Sequence, residues 1–359
     1  MVSAHTAAQV AAPTGYPDRA AVAEFFTARA GDLDQGGCDV RPGLGFLGER
    51  GLLGLGAPDN ADDELATMLL VVEDVAASCM SSGFSLWAQR MVIEYLERGR
   101  AGAGPDREPA ALRSGSRIGV TAMAPAMKHV AGLEPVPVIA ERTDGGVRLN
   151  GPIRWASNLF EDALVVVPAR FADGGGLIAV LRVDDPGVTV RSAPELLALG
   201  GTRSSSATLT QVEVPAGNVL SEDLTGFVRS VRPTFLLVQS AFCAGLAGAS
   251  RRCSAELLDG LNAEFREDFD ELASRHDSVR ARLFDFARAP HRPSPADLLR
   301  LRLDAARVAG TATKLESTLI GGRGYVATSA TSRRLREAAF LPIQAPTEGQ
   351  LRWELSRSA

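Results

Sequence analysis

Apolar positions along the chain fall into three stretches with different periods. Between residues 18 and 30, Val22, Phe25 and Phe26 share one stripe of a helix, and a Gly-rich break follows. The segment LGFLGERGLLGLG reads as a short helix ending in turns. Asn60 is placed to cap a helix whose first turn carries Asp62, Asp63 and Glu64, the charge that a helix N-terminus favours. Leu65, Met68, Leu69, Val72, Val75 and Cys79 continue that helix with a period of about 3.6 residues. Ser81-Ser82-Gly83 reads as a turn into a second helix through Leu86, Met91, Ile93, Tyr95 and Leu96, which ends at Gly99.

After Gly115 the runs shorten to strand length: IGVTA, PVPVIAE, GVRLNG, ALVVVPAR, GLIAVLRV, VTVRS and ATLTQVEVP, several of them separated by Gly-rich or Asp-Pro-Gly turns. No helix of a dozen residues lies between them, which argues against a parallel sheet built from strand-helix-strand units. Helical periodicity then returns. Leu236 to Leu258 is a long apolar helix with Ala241, Ala244, Gly245, Ala247 and Gly248, small residues that let another helix approach. Phe265, Phe269, Leu272, Val279, Leu283 and Phe286 form a further stripe, in which His276 reads as a surface or satisfied helical residue. Ser294, Pro295 and Asp297 start a last long helix that runs to Gly321-Gly322. The fold class is α+β, in three units: helical at 1–115, all-β at 116–220, helical at 221–359.

Composition narrows the function only by exclusion. The 359 residues are 45% hydrophobic and 23% charged, with a net charge of -5, so nothing points to nucleic acid or an anionic membrane as the main partner. Four cysteines (Cys38, Cys79, Cys243, Cys253) form no CxxC pair and no cluster with histidine; neither a zinc site nor a disulfide framework is expected, and a reducing cytoplasm is. Cys243 and Cys253 read as small buried hydrophobes. No unbroken apolar run reaches the roughly 18 residues of a membrane helix, and the first fifteen residues read as a loose tail without the layout of a signal peptide. No GxGxxG follows a strand and no P-loop is present; the glycines between 99 and 104 read as a linker.

Several local sequences resemble acyl-CoA dehydrogenases, in order along nearly the whole chain. IGVTAMAPAMKHV stands where the family has a strand ending in Thr-Glu-Pro, and Thr121 matches. LNGPIRWASN resembles Asn-Gly-x-Lys-x-Trp-Ile-Thr-Asn, with Asn150, Gly151, Trp155 and Asn158 retained and Ser157 in place of Thr. LGGTRSSSATLTQVEVPAGNVL and LIGGRGYVATSATSRRLREA resemble two further family segments. The resemblance implies a helical N-terminal domain, a β-barrel-like middle domain and a C-terminal four-helix bundle, with FAD between the last two. It implies flavin contacts for Thr121, Trp155 and Ser157, approach of the Gly321-Gly322 loop to a neighbouring subunit's FAD, and a contact from Thr347. Taken alone, Trp155 reads as core, Ser157 as a turn residue and the two glycines as a helix C-cap.

Two departures stand out. Arg336, Glu337 and Ala338 match the family's Arg-Asp-Ala run, and Leu341 and Ile343 its apolar strand-like stretch, but Ala345 occupies the position of the catalytic Glu. Residues 224–255 contain no Asp or Glu that could replace it, which leaves Glu348 as the nearest spare carboxylate and a weak candidate for the base. The family's pyrophosphate-binding Arg falls on Leu261 or Asn262, with Arg266 or Arg323 as unaligned substitutes. Three functions follow: dehydrogenation of an acyl-CoA or related acyl substrate with an atypical or missing base and a separate electron acceptor; oxygenation with reduced flavin and O2, served by a flavin reductase; or a silent structural subunit. A homodimer or homotetramer is expected, and no metal.

Overall fold

The computed structural model describes residue 13, residues 15–99 and residues 104–358. Most of the expected N-terminal tail and of the 99–104 linker lies outside them. Five helices come first: α1 (Arg19–Asp34), α2 (Arg41–Gly48), α3 (Leu65–Ser78), α4 (Met80–Arg98) and α5 (Pro109–Ser114). The middle holds β1 (Gly119–Thr121), α6 (Ala124–Val130), β2 (Ile139–Thr143), β3 (Gly146–Ala156), β4 (Leu164–Phe171), β5 (Gly176–Arg182), β6 (Val188–Val190), β7 (Ser205–Pro215) and β8 (Val219–Ser221). Helices α7 (Leu224–Ala255), α8 (Arg266–Ala287), α9 (Pro295–Ile320), α10 (Ala330–Phe340) and α11 (Glu348–Leu355) complete the chain.

The strands form one eight-stranded sheet in the order β6-β7-β3-β2-β4-β5-β8, with β1 beside β4. Most pairs are antiparallel, as turn-linked strands require, but β1 and β2 both run parallel to β4. Strand β4 is long enough to take β1 along Leu164–Val166 and β2 at Arg170 and Phe171. The Asn150-Gly151 pair is explained by register: β3 and β7 slip by a residue there, and Asn150 Oδ1 accepts from Gln211 N and Nε2, both at 2.9 Å. A Cβ on Gly151 would stand 2.8 Å from Pro137 O, and its φ of +134 suits glycine.

The core is continuous between the helical units. Helices α3 and α4 are buried on nearly every side, lying among the sheet, α1 and α7. Helices α3 and α7 cross closely because Gly245 lacks a side chain: a Cβ there would lie 2.1 Å from Glu73 O. Gly83 does the same for α3 and α4, where a Cβ would stand 2.8 Å from Ala76 Cα.

Several expectations change in detail. Asn60 does not cap a helix directly; residues 61–63 form a 3-10 turn, and Asn60 Oδ1 accepts from Leu65 N at 2.9 Å across it. Ser81-Ser82-Gly83 lies inside α4, and the chain breaks instead at extended Cys79. The middle unit is not all β, since α6 fills the loop after β1. Helix α7 begins twelve residues before Leu236 and runs through Pro233; it is long and apolar enough to cross a membrane, but 89% of its most apolar window is buried in the core. Residues 341–343 form turns rather than a strand. His276 is buried, not superficial: its ring bonds Ala244 O at 3.0 Å and Arg251 Nη1 at 3.3 Å, and burial lowers its pKa to about 4. Cys243 is buried as expected, whereas Cys253 is only partly so. The capping box at Ser294 and Asp297 is present.

Candidate functional site

A cavity of about 580 Å³ opens between the sheet and the helical bundle. Five stretches far apart in sequence meet in its wall: Phe84 and Trp87 from α4, Thr121 at the end of β1, Trp155 and Ser157 at the end of β3, Phe235 from α7, and Phe340 to Thr347 between α10 and α11. Of the residues assigned from the resemblance, Thr121, Trp155, Ser157, Ala345 and Thr347 therefore share one cavity. An aromatic wall stands behind them. The Phe84 and Trp87 rings stack at 5.2 Å, with Phe235 edge-on to Trp87 at 5.1 Å and Phe340 edge-on to Phe84 at 4.9 Å. Trp155 is 48% exposed, a large flat apolar surface left open at the cavity.

Hydroxyl groups of Thr121, Ser157, Ser204 and Thr347 line the cavity. Thr121 Oγ1 lies 3.3 Å from the hydroxyl of Tyr95, whose pKa burial raises so that it stays protonated. Each hydroxyl carries one proton, which fixes the direction of a second chain. Thr202 Oγ1 donates to Leu199 O at 2.7 Å, so it accepts from Ser204 Oγ at 2.7 Å, and Ser204 Oγ in turn accepts from Ser157 Oγ at 2.5 Å. Ser157 thus presents lone pairs to the cavity. Asn158, fully buried, donates to Ser85 O at 3.3 Å and Gly119 O at 3.2 Å, which ties the end of β3 to α4 and β1.

Carboxylates are nearly absent from the wall. Among the described residues lining the cavity, Glu134 is the one acidic side chain; a hydrogen bond from Lys128 at 2.5 Å holds its pKa down, and Arg154 stands 3.5 Å away. Glu348 lies outside the cavity lining. It bonds Arg307 at 3.1 Å and also pairs with Arg352; burial pushes its pKa up, but the two arginines outweigh this and bring it below the usual range. Both arginines thus hold Glu348 away from the role of a free carboxylate facing the cavity. Glu337, one turn back on α10, is buried and its pKa is pushed up to about 7 by burial, but it is not part of the cavity lining either.

The remaining assigned residues lie elsewhere. Gly321 and Gly322 form an exposed turn after α9, with nothing within 4 Å of a Cβ built on either. Leu261 is 87% exposed, and Asn262 is used internally, donating to Leu257 O and Leu319 O at 3.0 Å. Arg266 donates to Leu258 O at 2.9 Å. Sequence reasoning missed Arg302, Gln239 and Gln344, a buried cluster behind Ala345. A signal was present: Arg302 is four residues after Leu298 and sits on the apolar face of α9, where a charge is unexpected.

No family model matches the chain. It is 24% identical over 326 residues to a probable acyl-CoA dehydrogenase, YngJ, of Bacillus subtilis, spanning 83% of this chain and 84% of that one. In structure it is similar to an acyl-CoA dehydrogenase from Geobacillus kaustophilus, with a TM-score of 0.83 and 16% identity over 97% of this chain and 99% of the other. A glutaryl-CoA dehydrogenase from Mycobacterium smegmatis, solved in complex with FADH2, superposes with a TM-score of 0.80 and 16% identity over 96% and 94% of the two chains. The chain has the acyl-CoA dehydrogenase fold and is similar in sequence to an acyl-CoA dehydrogenase over most of its length.

Proposed function

We propose that the chain is an FAD-dependent oxidoreductase acting on an acyl-CoA or related acyl substrate. The observation that carries this reading is the meeting of Thr121, Trp155, Ser157 and Thr347 on one mostly apolar cavity between sheet and bundle. These residues fit the ring half of FAD: a half-exposed indole for a planar ring, and hydroxyls for its polar edges. Bound FAD supplies a hydride acceptor. The aromatic wall of Phe84, Trp87, Phe235 and Phe340 keeps water from the reacting carbon and orients an apolar acyl chain. The pyrophosphate half finds no arginine at Leu261 or Asn262. We assign that half to a surface shared by two copies, which the exposed Gly321-Gly322 turn and Arg323 suit, in a homodimer or homotetramer. Free cysteines and the buried apolar helix fit a cytoplasmic protein.

Dehydrogenation stands first because the similar sequence is that of a dehydrogenase. One observation favours oxygenation as a second reading: among the described residues the cavity offers no free carboxylate to take a proton from carbon, Glu134 being held by Lys128 and Arg154, and the resemblance puts Ala345 at the position of the base. The deciding experiment is a visible absorption spectrum of purified, desalted protein, repeated without oxygen after addition of a panel of acyl-CoA thioesters. Bleaching of bound flavin by one of them is the expected result. Oxygen-dependent consumption of supplied reduced flavin selects the oxygenase, and protein that never holds flavin refutes both readings in favour of a silent subunit. Trp155→Ala combined with Ser157→Ala is expected to lower flavin occupancy or shift its absorption; an unchanged spectrum removes the ring from this wall.

A further inference from the structure

Behind Ala345 lies a guanidinium without a counter-ion. Arg302 is fully buried, and its partners are all neutral: Gln239 Oε1 at 3.1 Å, Gln344 Oε1 at 2.8 Å and Leu341 O at 3.2 Å. Among the described residues no carboxylate pairs with it, and its Nη1 has no partner at all. The face of Phe242, 5.8 Å from the guanidinium carbon, compensates only weakly. A buried cation held this way is costly unless an anion is near when the protein works.

Arg302 also sets the direction of both amides. A guanidinium only donates, so each glutamine must turn its oxygen to Arg302 and its nitrogen away. Both nitrogens then donate to the same atom, Ala345 O, at 2.9 Å. One proton of each amide is used there, which leaves one on each nitrogen, and Gln344 is among the residues that line the cavity. Beside Ala345 the cavity wall has the amide of Gln344, backed by the guanidinium of Arg302.

We propose that Arg302, acting through Gln344, makes the Ala345 end of the cavity a receptor for an anionic oxygen, so that the substrate or product carries a carboxylate or enolate there. Arg302 is a positioning residue and Gln344 the group that touches the ligand. The inference rests on the cavity being the substrate site, and not on the identity of the redox group.

The test is calorimetric titration of the full-length purified protein with hexanoate and with hexanamide, equal in length and different in charge. Hexanoate is expected to bind more tightly by about tenfold or more, the size of a charge effect across one intervening amide. Arg302→Met is expected to equalise the two, and Arg302→Lys to restore part of the preference. Equal affinities in the unmodified protein, no binding of hexanoate, or a preference that survives in Arg302→Met would each overturn the proposal. Should that variant fail to fold, Gln344→Met keeps Arg302 and the Gln239 contact in place; it is expected to lose most of the preference, and a preference unchanged there also refutes the assignment. Flavin content is read by absorbance in the same samples, so an error in the cofactor assignment is seen separately.

Discussion

Glu337 offers a test of the structure that needs neither substrate nor cofactor. Its side chain is 1% exposed, Oε1 has no hydrogen-bond partner, and Arg333 stands 3.7 Å away without closing a bond. Burial raises its pKa to about 7 from an ordinary 4.5, with the nearby charge of Arg333 acting in the opposite sense. Because the folded state holds this proton more tightly than the unfolded state, the associated stability is full below about pH 4.5, falls as the pH rises, and is gone above about pH 7. The whole gap is worth about 3 kcal/mol, and the part lying between pH 5 and pH 8 about 2.5 kcal/mol. Glu337→Gln keeps the shape and cannot ionise. It is expected to gain about 2.5 kcal/mol over the unmodified protein on going from pH 5 to pH 8, about 3 °C in melting temperature for a chain of this size. Taking the difference between the two proteins at each pH cancels His276, whose buried neutral ring, with a pKa near 4, pulls stability the other way as the pH falls below 6.5. Differential scanning calorimetry at the two pH values measures this directly. A stability gap that is the same at pH 5 and pH 8 would refute the account of Glu337 as a buried, poorly paired carboxylate.

Other expectations follow from the same geometry. Glu348→Gln should leave turnover with any active acyl substrate within about twofold of the unmodified value, because Glu348 is bound to Arg307 and Arg352 outside the cavity lining; a loss of a hundredfold in steady-state assay would return it to the role of base. Arg90→Ala should cost roughly 3 kcal/mol in denaturant unfolding, since it leaves Glu94, fully buried, without its 2.7 Å partner and frees the carbonyls of Leu55 and Gly56. Gly245→Val should cost at least about 2 kcal/mol, because a Cβ would stand 2.1 Å from Glu73 O and helices α3 and α7 would have to separate; an unchanged unfolding midpoint would contradict the crossing described here.

Much of this protein is legible in one dimension. A period near 3.6 in residues 65–79 and a run of short β-type segments after Gly115 follow from local rules, because the side chains of a helix or strand face the core at fixed intervals. The capping box at Ser294 is equally local, as its partners are three residues apart. Turn and boundary errors arose where a distant element decides. Ser81-Ser82-Gly83 stays helical because Gly83 is pressed against Ala76 of the neighbouring helix, and a turn reading from composition alone has no access to that contact. The site divides in the same way. Thr121, Trp155, Ser157 and Thr347 were placed by resemblance of local segments, and each lines the cavity. Gly321 and Gly322, placed by the same means, are exposed at the far end of α9, with open space around them in a single chain.

The sequence by itself determined the order of helical and β-type segments and the absence of Asp and Glu from α7, since both depend on residue identity and spacing along one chain, while the reading of Ala345 as the place of a missing base came from resemblance alone. Only the tertiary structure decided what surrounds that alanine. Gln239, Arg302 and Gln344 come from α7, α9 and the turn after α10, 63 and 42 residues apart, and are brought together by the packing of the bundle. The charge and hydrogen-bond character of a cavity wall belong to side chains that become neighbours only after their backbones have packed, so no local pattern carries them.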